Sequence, residues 1–241
     1  MALKLIIGNK NYSSWSFRPW IAMKVAGIGF EEELIQFGQP LGNLEFKSQV
    51  QRYSPAGRVP VLADGDLYVW DSLAILEYLA EIRPDAHLWP TDAKPRAHAR
   101  AISNEMHAGF QAVRNECPMN FRRPVQARTL SVDARADIQR IEDMWADCRE
   151  RYGGPFLFGR FSAADAMYAP VVSRLQTYGV SVAAGTRTYM EAMMALPAWA
   201  LWKSAALDES WIVPEDEIDW PTVLWVPGAF VQVISPRAHA D

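Results

Sequence analysis

Short apolar runs and helical patterns alternate along the first third of the chain. Four runs are predicted to be strands: residues 3–7, 32–36, 59–62 and 67–70. Apolar positions three or four residues apart predict helices over 17–26 and 73–82, with a short helical turn near 44–50. Asp64-Gly65 joins the last two strands as an antiparallel hairpin, because this pair supplies the positive φ that a tight turn needs. The alternation predicts an α/β unit.

From residue 95 onward the strand pattern disappears and longer helical periods replace it. Five helices are predicted, over residues 95–116, 133–152, 162–178, 187–195 and 198–207. We therefore predict an α/β domain over residues 1–84, a linker over 85–94, an all-helical domain over 95–210 and a tail over 211–241. Three aromatic residues of the tail indicate that part of it packs on another surface: Trp220, Trp225 and Phe230.

Composition narrows the class of protein. The 241 residues are 50% hydrophobic, which is enough to bury a sizeable core. A net charge of −4 without a run of Lys and Arg predicts no binding to nucleic acid or to an anionic membrane. The first apolar run is too short for a signal peptide, and no stretch approaches the ~20 apolar residues of a membrane span. We expect a soluble cytoplasmic protein.

The two cysteines do not predict a disulfide or a metal site. Cys117 and Cys148 form no C-x-x-C motif, and no histidine stands at metal-ligand spacing from them. Cys148 follows Ile138, Ile141 and Trp145 at helical spacing, which is typical of a buried core position. We expect no metal cofactor.

A serine-rich segment separates the first predicted strand from the first helix. Residues 11–19 have the sequence NYSSWSFRP. Pro19 lacks an N–H and is best placed near a helix start, so we predict an N-cap near Ser16 with Ser13 and Ser14 just ahead of the helix. Hydroxyls at the positive end of a helix dipole suit an anion, and a thiolate is an anion. The alternative is that these serines only cap the helix.

Two further motifs lie around the predicted hairpin. Val59-Pro60 stands at its mouth, and sequence alone favours the ordinary trans peptide bond there. Asp71-Ser72 stands at the start of the helix that follows. A serine hydroxyl and free backbone N–H groups there can receive a small carboxylate, while Asp71 can pair with an amino group. The alternative is a simple N-cap with an acidic neighbour.

In this order the three motifs resemble the N-terminal domain of the glutathione transferases, and the zeta and theta-like members most closely. Residues 13–18 (SSWSFR) are similar to their Ser-Ser-Cys-Ser-x-Arg loop. Residues 54–62 (SPAGRVPVL) resemble their cis-proline strand, and 71–79 (DSLAILEYL) resemble their Glu/Gln-Ser-x-Ala-Ile-x-x-Tyr-Leu helix. The resemblance covers residues 3–207. It implies a thioredoxin-like domain followed by an all-helical glutathione-transferase domain.

The resemblance also implies a glutathione site. Ser13, with Ser14 as the alternative, would donate to the glutathione sulfur. Three further positions would bind the rest of the tripeptide: Val59 ahead of a cis Pro60 would pair with the cysteinyl backbone, and Asp71 and Ser72 would hold the γ-glutamyl end. Trp15 replaces the cysteine of the family, so its indole is expected to reshape the pocket of the second substrate.

The helical domain contributes a structural motif and a candidate pocket wall. Ser162 and Asp165 have the spacing of a capping box, which stabilises a helix rather than catalysing a reaction. Members of the family use the helix at 95–116 to line the second-substrate site, which would place His107 and Phe110 there beside Trp15. A solvated helix face explains the polar residues of this helix equally well.

The expected function is that of a glutathione transferase in detoxification. It would supply glutathione as a thiolate for conjugation to a small electrophile, or for a glutathione-dependent reduction. One alternative is a zeta-type cis–trans isomerase of a maleyl diacid; the arginine that this reaction needs would stand where the chain has Thr177, and Arg174 lies one turn earlier. Another is a non-catalytic binding or scaffold protein of the same fold. The resemblance further implies a homodimer, with residues 44–53 and the exposed face of the 95–116 helix in its interface.

Overall fold

The computed structural model describes residues 2–38, 42–218, 222–224 and 232–234. Of the last two segments it describes the backbone, as two short antiparallel strands, Thr222–Leu224 and Gln232–Ile234. The expected packing of Trp220, Trp225 and Phe230 lies outside the described residues.

The N-terminal part is a four-stranded mixed sheet with helices. Its elements in chain order are β1 (Leu3–Ile7), α1 (Ser14–Val25), β2 (Phe30–Leu34), α2 (Gly42–Val50), β3 (Val61–Asp64), β4 (Leu67–Trp70) and α3 (Ser72–Ile82). The strand order is β2-β1-β3-β4, with β1 parallel to β2 and β3 antiparallel to both of its neighbours. This arrangement confirms the predicted α/β unit and its hairpin, and it is the thioredoxin-like topology that the resemblance implies.

The C-terminal part is helical. Its helices are α4 (Ala93–Ala108), α5 (Gln111–Glu116), α6 (Val132–Tyr152), α7 (Ala163–Thr177), α8 (Ala184–Met194) and α9 (Pro197–Asp208). α7 is buried along nearly its whole length and packs against both α1 and α4. It is therefore the central helix, and it brings the helical domain directly against the start of α1.

The single helix predicted over residues 95–116 is wrong, because the chain forms two helices there. Gly109 is extended, with a ψ of −164°, and Phe110 adopts a left-handed conformation with a φ of 60°. The backbone therefore changes direction between α4 and α5. Apolar periodicity continues through the break, and for this reason the sequence pattern did not reveal it.

Aromatic side chains join the two domains beside the first helix. Phe17 of α1 stacks on Trp202 of α9, with ring centroids 4.7 Å apart, and Trp20 meets the same indole edge to face at 5.0 Å. Phe17 also contacts Trp199 at 5.3 Å. Aromatic rings bury large apolar areas, so this cluster fixes α1 relative to the helical domain.

A capping box begins α7, at the position predicted from the sequence. Asp165 Oδ2 accepts hydrogen bonds from Ser162 N at 2.9 Å and from Ser162 Oγ at 2.8 Å. Its other oxygen accepts from Leu157 N at 3.0 Å and from the Tyr189 hydroxyl at 3.1 Å. Asp165 has no exposed surface, and burial raises its pKa to about 6. One carboxylate thus ties together α7, the preceding loop and α8.

Candidate active site

The first helix begins earlier than the sequence predicted. Its N-cap is Ser13 rather than Ser16, and the Ser13 side chain accepts a hydrogen bond from Ser16 N at 3.4 Å. Pro19 therefore lies inside the helix, where it removes a single main-chain hydrogen bond. The earlier start puts Ser14 in the first turn, with both serines still at the positive end of the helix dipole.

The two candidate serines differ in how their hydroxyl groups are used. Ser13 Oγ donates to Ser16 Oγ at 2.7 Å, so its hydrogen is engaged within the helix cap. Ser14 Oγ accepts from Arg174 Nη2 at 3.2 Å, which leaves the Ser14 hydrogen for another acceptor. A cation that donates to a hydroxyl oxygen also makes that hydroxyl a stronger donor. The geometry therefore favours Ser14 over Ser13 as a donor to a bound anion.

A cavity of about 450 Å³ opens where the two domains meet at these serines. Its walls include both candidate serines and residues of both domains: Ser13, Ser14, Trp15, Val59, His107 and Arg174. The expected place of Phe110 in this wall is corrected. It does not line the cavity and is instead buried in the hydrophobic core, because the break at Gly109 turns the chain at this point.

The Val59–Pro60 peptide bond is cis, as the resemblance implied and contrary to the statistical preference for trans. Val59 is half-buried and lines the cavity. Val59 and the two serines thus lie in the wall of the same cavity.

The two residues of the candidate receptor for the γ-glutamyl group differ in exposure, since Asp71 is exposed and Ser72 is buried. Asp71 is the N-cap of α3; it accepts from Leu73 N at 3.1 Å and lies 3.4 Å from His107 Nε2. Ser72 has no exposed surface, and its Oγ accepts from Arg18 Nη1 at 3.4 Å. A glutathione contact of the Ser72 hydroxyl stays a prediction, and it requires this packing to open.

Trp15 lies among cationic side chains from both domains. Its indole is 4.2 Å from the Arg18 guanidinium carbon and 5.0 Å from that of Arg114, measured to the ring centroid. His107 meets the same ring edge to face at 5.2 Å. Cation–π contacts of this kind hold the indole in place, so Trp15 forms a fixed part of the cavity wall.

The charge of the cavity is predominantly positive. Arg58, Arg114 and Arg174 line it, and Asp216 is the one carboxylate among the described lining residues. Burial and the neighbouring Arg174 lower the pKa of Arg114 to about 10, while burial raises the pKa of Asp216 to about 6. Such a cavity suits an anionic ligand.

Sequence reasoning missed the role of two of these residues. Arg174 lies one helical turn before the position at which the resemblance places an arginine, and Asp216 lies in the tail, for which the sequence predicts no structure. Arg174 is an arginine within a helix that is otherwise almost wholly buried, and this was an available signal. Nothing in the local sequence marks Asp216.

A second group of titratable side chains lies away from this cavity. Donor atoms of His98, Asp147 and Cys148 lie within 4.8 Å of one another. Each already has a structural role: His98 Nδ1 is 3.0 Å from the Tyr152 hydroxyl, Asp147 accepts from Arg151 at 2.7 Å, and burial raises the pKa of Cys148 to about 12. These contacts are sufficient to explain the group as part of the packing between α4 and α6.

Comparison with known proteins places the chain in a family. Residues 12–82 match the model of the glutathione S-transferase N-terminal domain, and residues 98–202 match that of the C-terminal domain. The chain belongs to the glutathione S-transferase family. No helix in the described part of the chain is both long and apolar enough to cross a membrane.

Curated relatives of the chain are named as maleylacetoacetate isomerases or as glutathione S-transferases. A probable maleylacetoacetate isomerase of Caenorhabditis elegans is 38% identical over 103 residues, which are 43% of this chain and 46% of that protein. A zeta-class glutathione S-transferase of Euphorbia esula is 32% identical over 109 residues, covering 45% and 47% of the two chains. The match thus spans about half the length of these relatives.

Solved structures confirm the fold. A glutathione transferase homolog from Burkholderia, solved with bound glutathione, superposes with a TM-score of 0.65 at 24% identity and covers 87% of this chain and 100% of that one. A glutathione transferase from Methylococcus capsulatus superposes with a TM-score of 0.62 at 22% identity, covering 85% and 98%. The thioredoxin-like domain followed by a helical domain is therefore the glutathione S-transferase architecture.

Proposed function

We propose that this protein is a glutathione transferase that binds glutathione in the cavity between its two domains and presents the sulfur as a thiolate to a small electrophile. The observation that carries the proposal is the Ser14 hydroxyl, which stands at the start of α1 and accepts a hydrogen bond from Arg174. Val59 lies ahead of a cis Pro60 on the adjacent wall, where an extended tripeptide would pair with it.

The energies are sufficient for this role. Lowering the pKa of a thiol by two units requires about 2.7 kcal/mol. A hydrogen bond to a charged acceptor contributes about 1.5–3 kcal/mol, and the dipole of α1 and the charge of Arg174 act in the same direction. In this mechanism Ser14 donates to the sulfur, Arg174 supports Ser14, and the cavity holds the electrophile in line with the thiolate.

A second candidate is glutathione-dependent isomerisation of a maleyl-type diacid. The observation in its favour is that Arg174 lines the cavity together with Arg114. Arg174 lies one helical turn before the position at which the resemblance places the arginine of the isomerases. Arginine binds carboxylates with good geometry, so two arginines facing one cavity suit a substrate with carboxylate groups. Several relatives are named maleylacetoacetate isomerases, which agrees with this candidate.

The test separates these functions from each other and from a non-catalytic role. Purified protein is applied to immobilised glutathione, then assayed with glutathione for conjugation of an aromatic electrophile and for isomerisation of a maleyl diacid. We expect retention on the column and conjugation. Isomerisation without conjugation would favour the second candidate, retention without turnover a binding protein, and failure to bind glutathione would contradict both enzymatic proposals.

We further propose that the protein is a cytoplasmic homodimer that acts in detoxification. β4 is an edge strand of the sheet and exposes Tyr68 and Trp70, and Leu44 of α2 is 86% exposed. Exposed aromatic and aliphatic side chains are typical of surfaces that become buried on association.

Light scattering at micromolar concentration should therefore give twice the mass of one chain. Trp70→Lys should shift the protein toward the monomer, because it places a charge on the exposed face of β4, which we propose to be buried in the dimer. The control Val132→Lys changes another exposed hydrophobic residue, at the start of α6, and should leave the mass unchanged. A monomer that still binds glutathione would contradict the dimer and leave the site intact.

A further inference from the structure

The chain returns to the candidate active site after its last long helix. Glu209 directly follows α9 and is 7% exposed, although it carries a carboxylate. Its Oε1 accepts from the main-chain N–H of Lys10 at 2.6 Å, and its Oε2 accepts from that of Asn11 at 3.0 Å. One side chain from the far end of the helical domain thus holds two consecutive N–H groups in the loop between β1 and α1.

This loop leads directly to the serines. The Asn9 carbonyl oxygen accepts from Tyr12 N at 3.2 Å and from Ser13 N at 2.8 Å, so residues 9–13 form a hydrogen-bonded turn. Glu209 accepts hydrogen bonds from two residues within that turn, Lys10 and Asn11. A displacement of the turn would therefore move Ser13 and Ser14 with it.

The surrounding contacts reinforce the same connection. Arg122 donates to the Glu209 carbonyl oxygen at 2.6 Å and to the Tyr12 hydroxyl at 2.5 Å. Glu217, further along the same segment, accepts from the Tyr12 hydroxyl at 2.5 Å. Gly38 approaches so closely that an added Cβ would overlap the Ile212 carbonyl oxygen. Residues 209–217, here called the strap, therefore lie against the loop between β1 and α1 and against Gly38.

The position of Glu209 is costly for stability. Burial raises its pKa to about 7, even though the two N–H groups, Arg122 and Lys10 all favour the charged form. A buried carboxylate that only joined two surfaces could be replaced by apolar packing with little loss. An apolar side chain, however, cannot accept hydrogen bonds from two main-chain N–H groups, so it could not set the conformation of the loop.

We propose that Glu209 is a positioning residue of the thiolate site, which fixes the turn at residues 9–13 so that Ser14 points at the glutathione sulfur. The inference rests on the proposed function. Glu209 itself touches neither substrate; it acts through the main chain of Lys10 and Asn11. The strap thereby makes the geometry of a site in the first domain depend on the end of the second.

Glu209→Gln is the informative substitution, because it keeps the size of the side chain but replaces one acceptor oxygen by an NH₂ group that faces an N–H donor. We expect kcat to fall at least about tenfold while KM for glutathione changes little, since small displacements of reacting groups have effects of this size. The pKa of bound glutathione, measured from thiolate absorbance, should rise. Glu209→Asp keeps the charge with a shorter reach and should give a smaller change.

Asp208→Asn is the matched control. It removes the same charge one residue earlier, from an exposed side chain at the end of α9, and should behave as wild type. Hydrogen exchange of the free proteins adds a readout that does not depend on glutathione: the amides of Lys10 and Asn11 should exchange faster in Glu209→Gln, with the α7 amides unchanged.

The outcomes are distinguishable. Faster exchange at residues 10 and 11 together with a raised thiol pKa and a lowered kcat supports the proposal. Wild-type kcat and thiol pKa in Glu209→Gln would overturn it, whatever the exchange rates. A wild-type protein that does not bind glutathione would instead overturn the proposed function and, with it, this role of Glu209.

Discussion

Asp165→Ala is expected to lower the free energy of unfolding by at least about 3 kcal/mol. The substitution removes the acceptor of four hydrogen bonds, among them those from Leu157 N and Ser162 N. Each buried donor left unsatisfied costs about 1–3 kcal/mol, and relief of the penalty for burying a carboxylate offsets part of the loss. Denaturant unfolding measures the effect as a shift in midpoint.

Asp133→Ala provides the control for this substitution. Asp133 is also an acidic residue in the first turn of a helix, but it is exposed. Its removal should cost less than about 1 kcal/mol, the range of a dipole interaction at the surface. An Asp165→Ala protein that unfolds at the wild-type denaturant concentration would show that the capping box contributes nothing.

The pH dependence offers a second check on Asp165. Its pKa is raised from 3.8 to about 6 in the folded protein, so between these values the folded state binds more protons than the unfolded state. The stabilising contribution of Asp165 to the free energy of unfolding is therefore fully present below about pH 4, and it is lost as the pH rises through about 6. Asp165→Asn, which cannot ionise, should lack this decline.

Local signals account for most of the fold that could be predicted. The four strands, the Asp64-Gly65 hairpin turn and the Ser162–Asp165 box each depend on residues close together in the chain, and all are present. The first and last residues of the elements are harder to predict. For α1, the serines at positions 13, 14 and 16 can all cap a helix, and tertiary contacts decide which of them does.

The site was only partly predictable for a different reason. Serines before a helix and a proline before a strand are local patterns, whereas Arg174 and Asp216 enter the cavity through the packing of α7 and the strap. Phe110 shows the converse. Its spacing along the predicted helix places it in the pocket wall, but the helix is interrupted at residues 109–110 and the side chain lies in the core. Periodicity reports which face of a helix is apolar; it does not report what a distant segment brings to it.

Ser14→Ala is expected to lower kcat about 10- to 100-fold and to raise the pKa of bound glutathione. The expected size follows from the loss of one hydrogen bond to a charged acceptor, about 1.5–3 kcal/mol. Ground-state affinity for glutathione should change little, because this hydrogen bond strengthens as the sulfur becomes charged. Steady-state kinetics and titration of the thiolate absorbance measure the two effects.

Ser13→Ala distinguishes the two serines, because the same chemical change is made one residue earlier. Ser13 caps α1 and gives its hydrogen to Ser16, so its removal should cost about 1 kcal/mol of stability and have a smaller effect on kcat. Ser103→Ala controls for loss of any buried hydroxyl, since Ser103 is fully buried on α4 and does not line the cavity. If Ser13→Ala raised the thiol pKa and Ser14→Ala did not, the sulfur would lie at Ser13, and the hydrogen bond from Arg174 to Ser14 would serve only to join the domains.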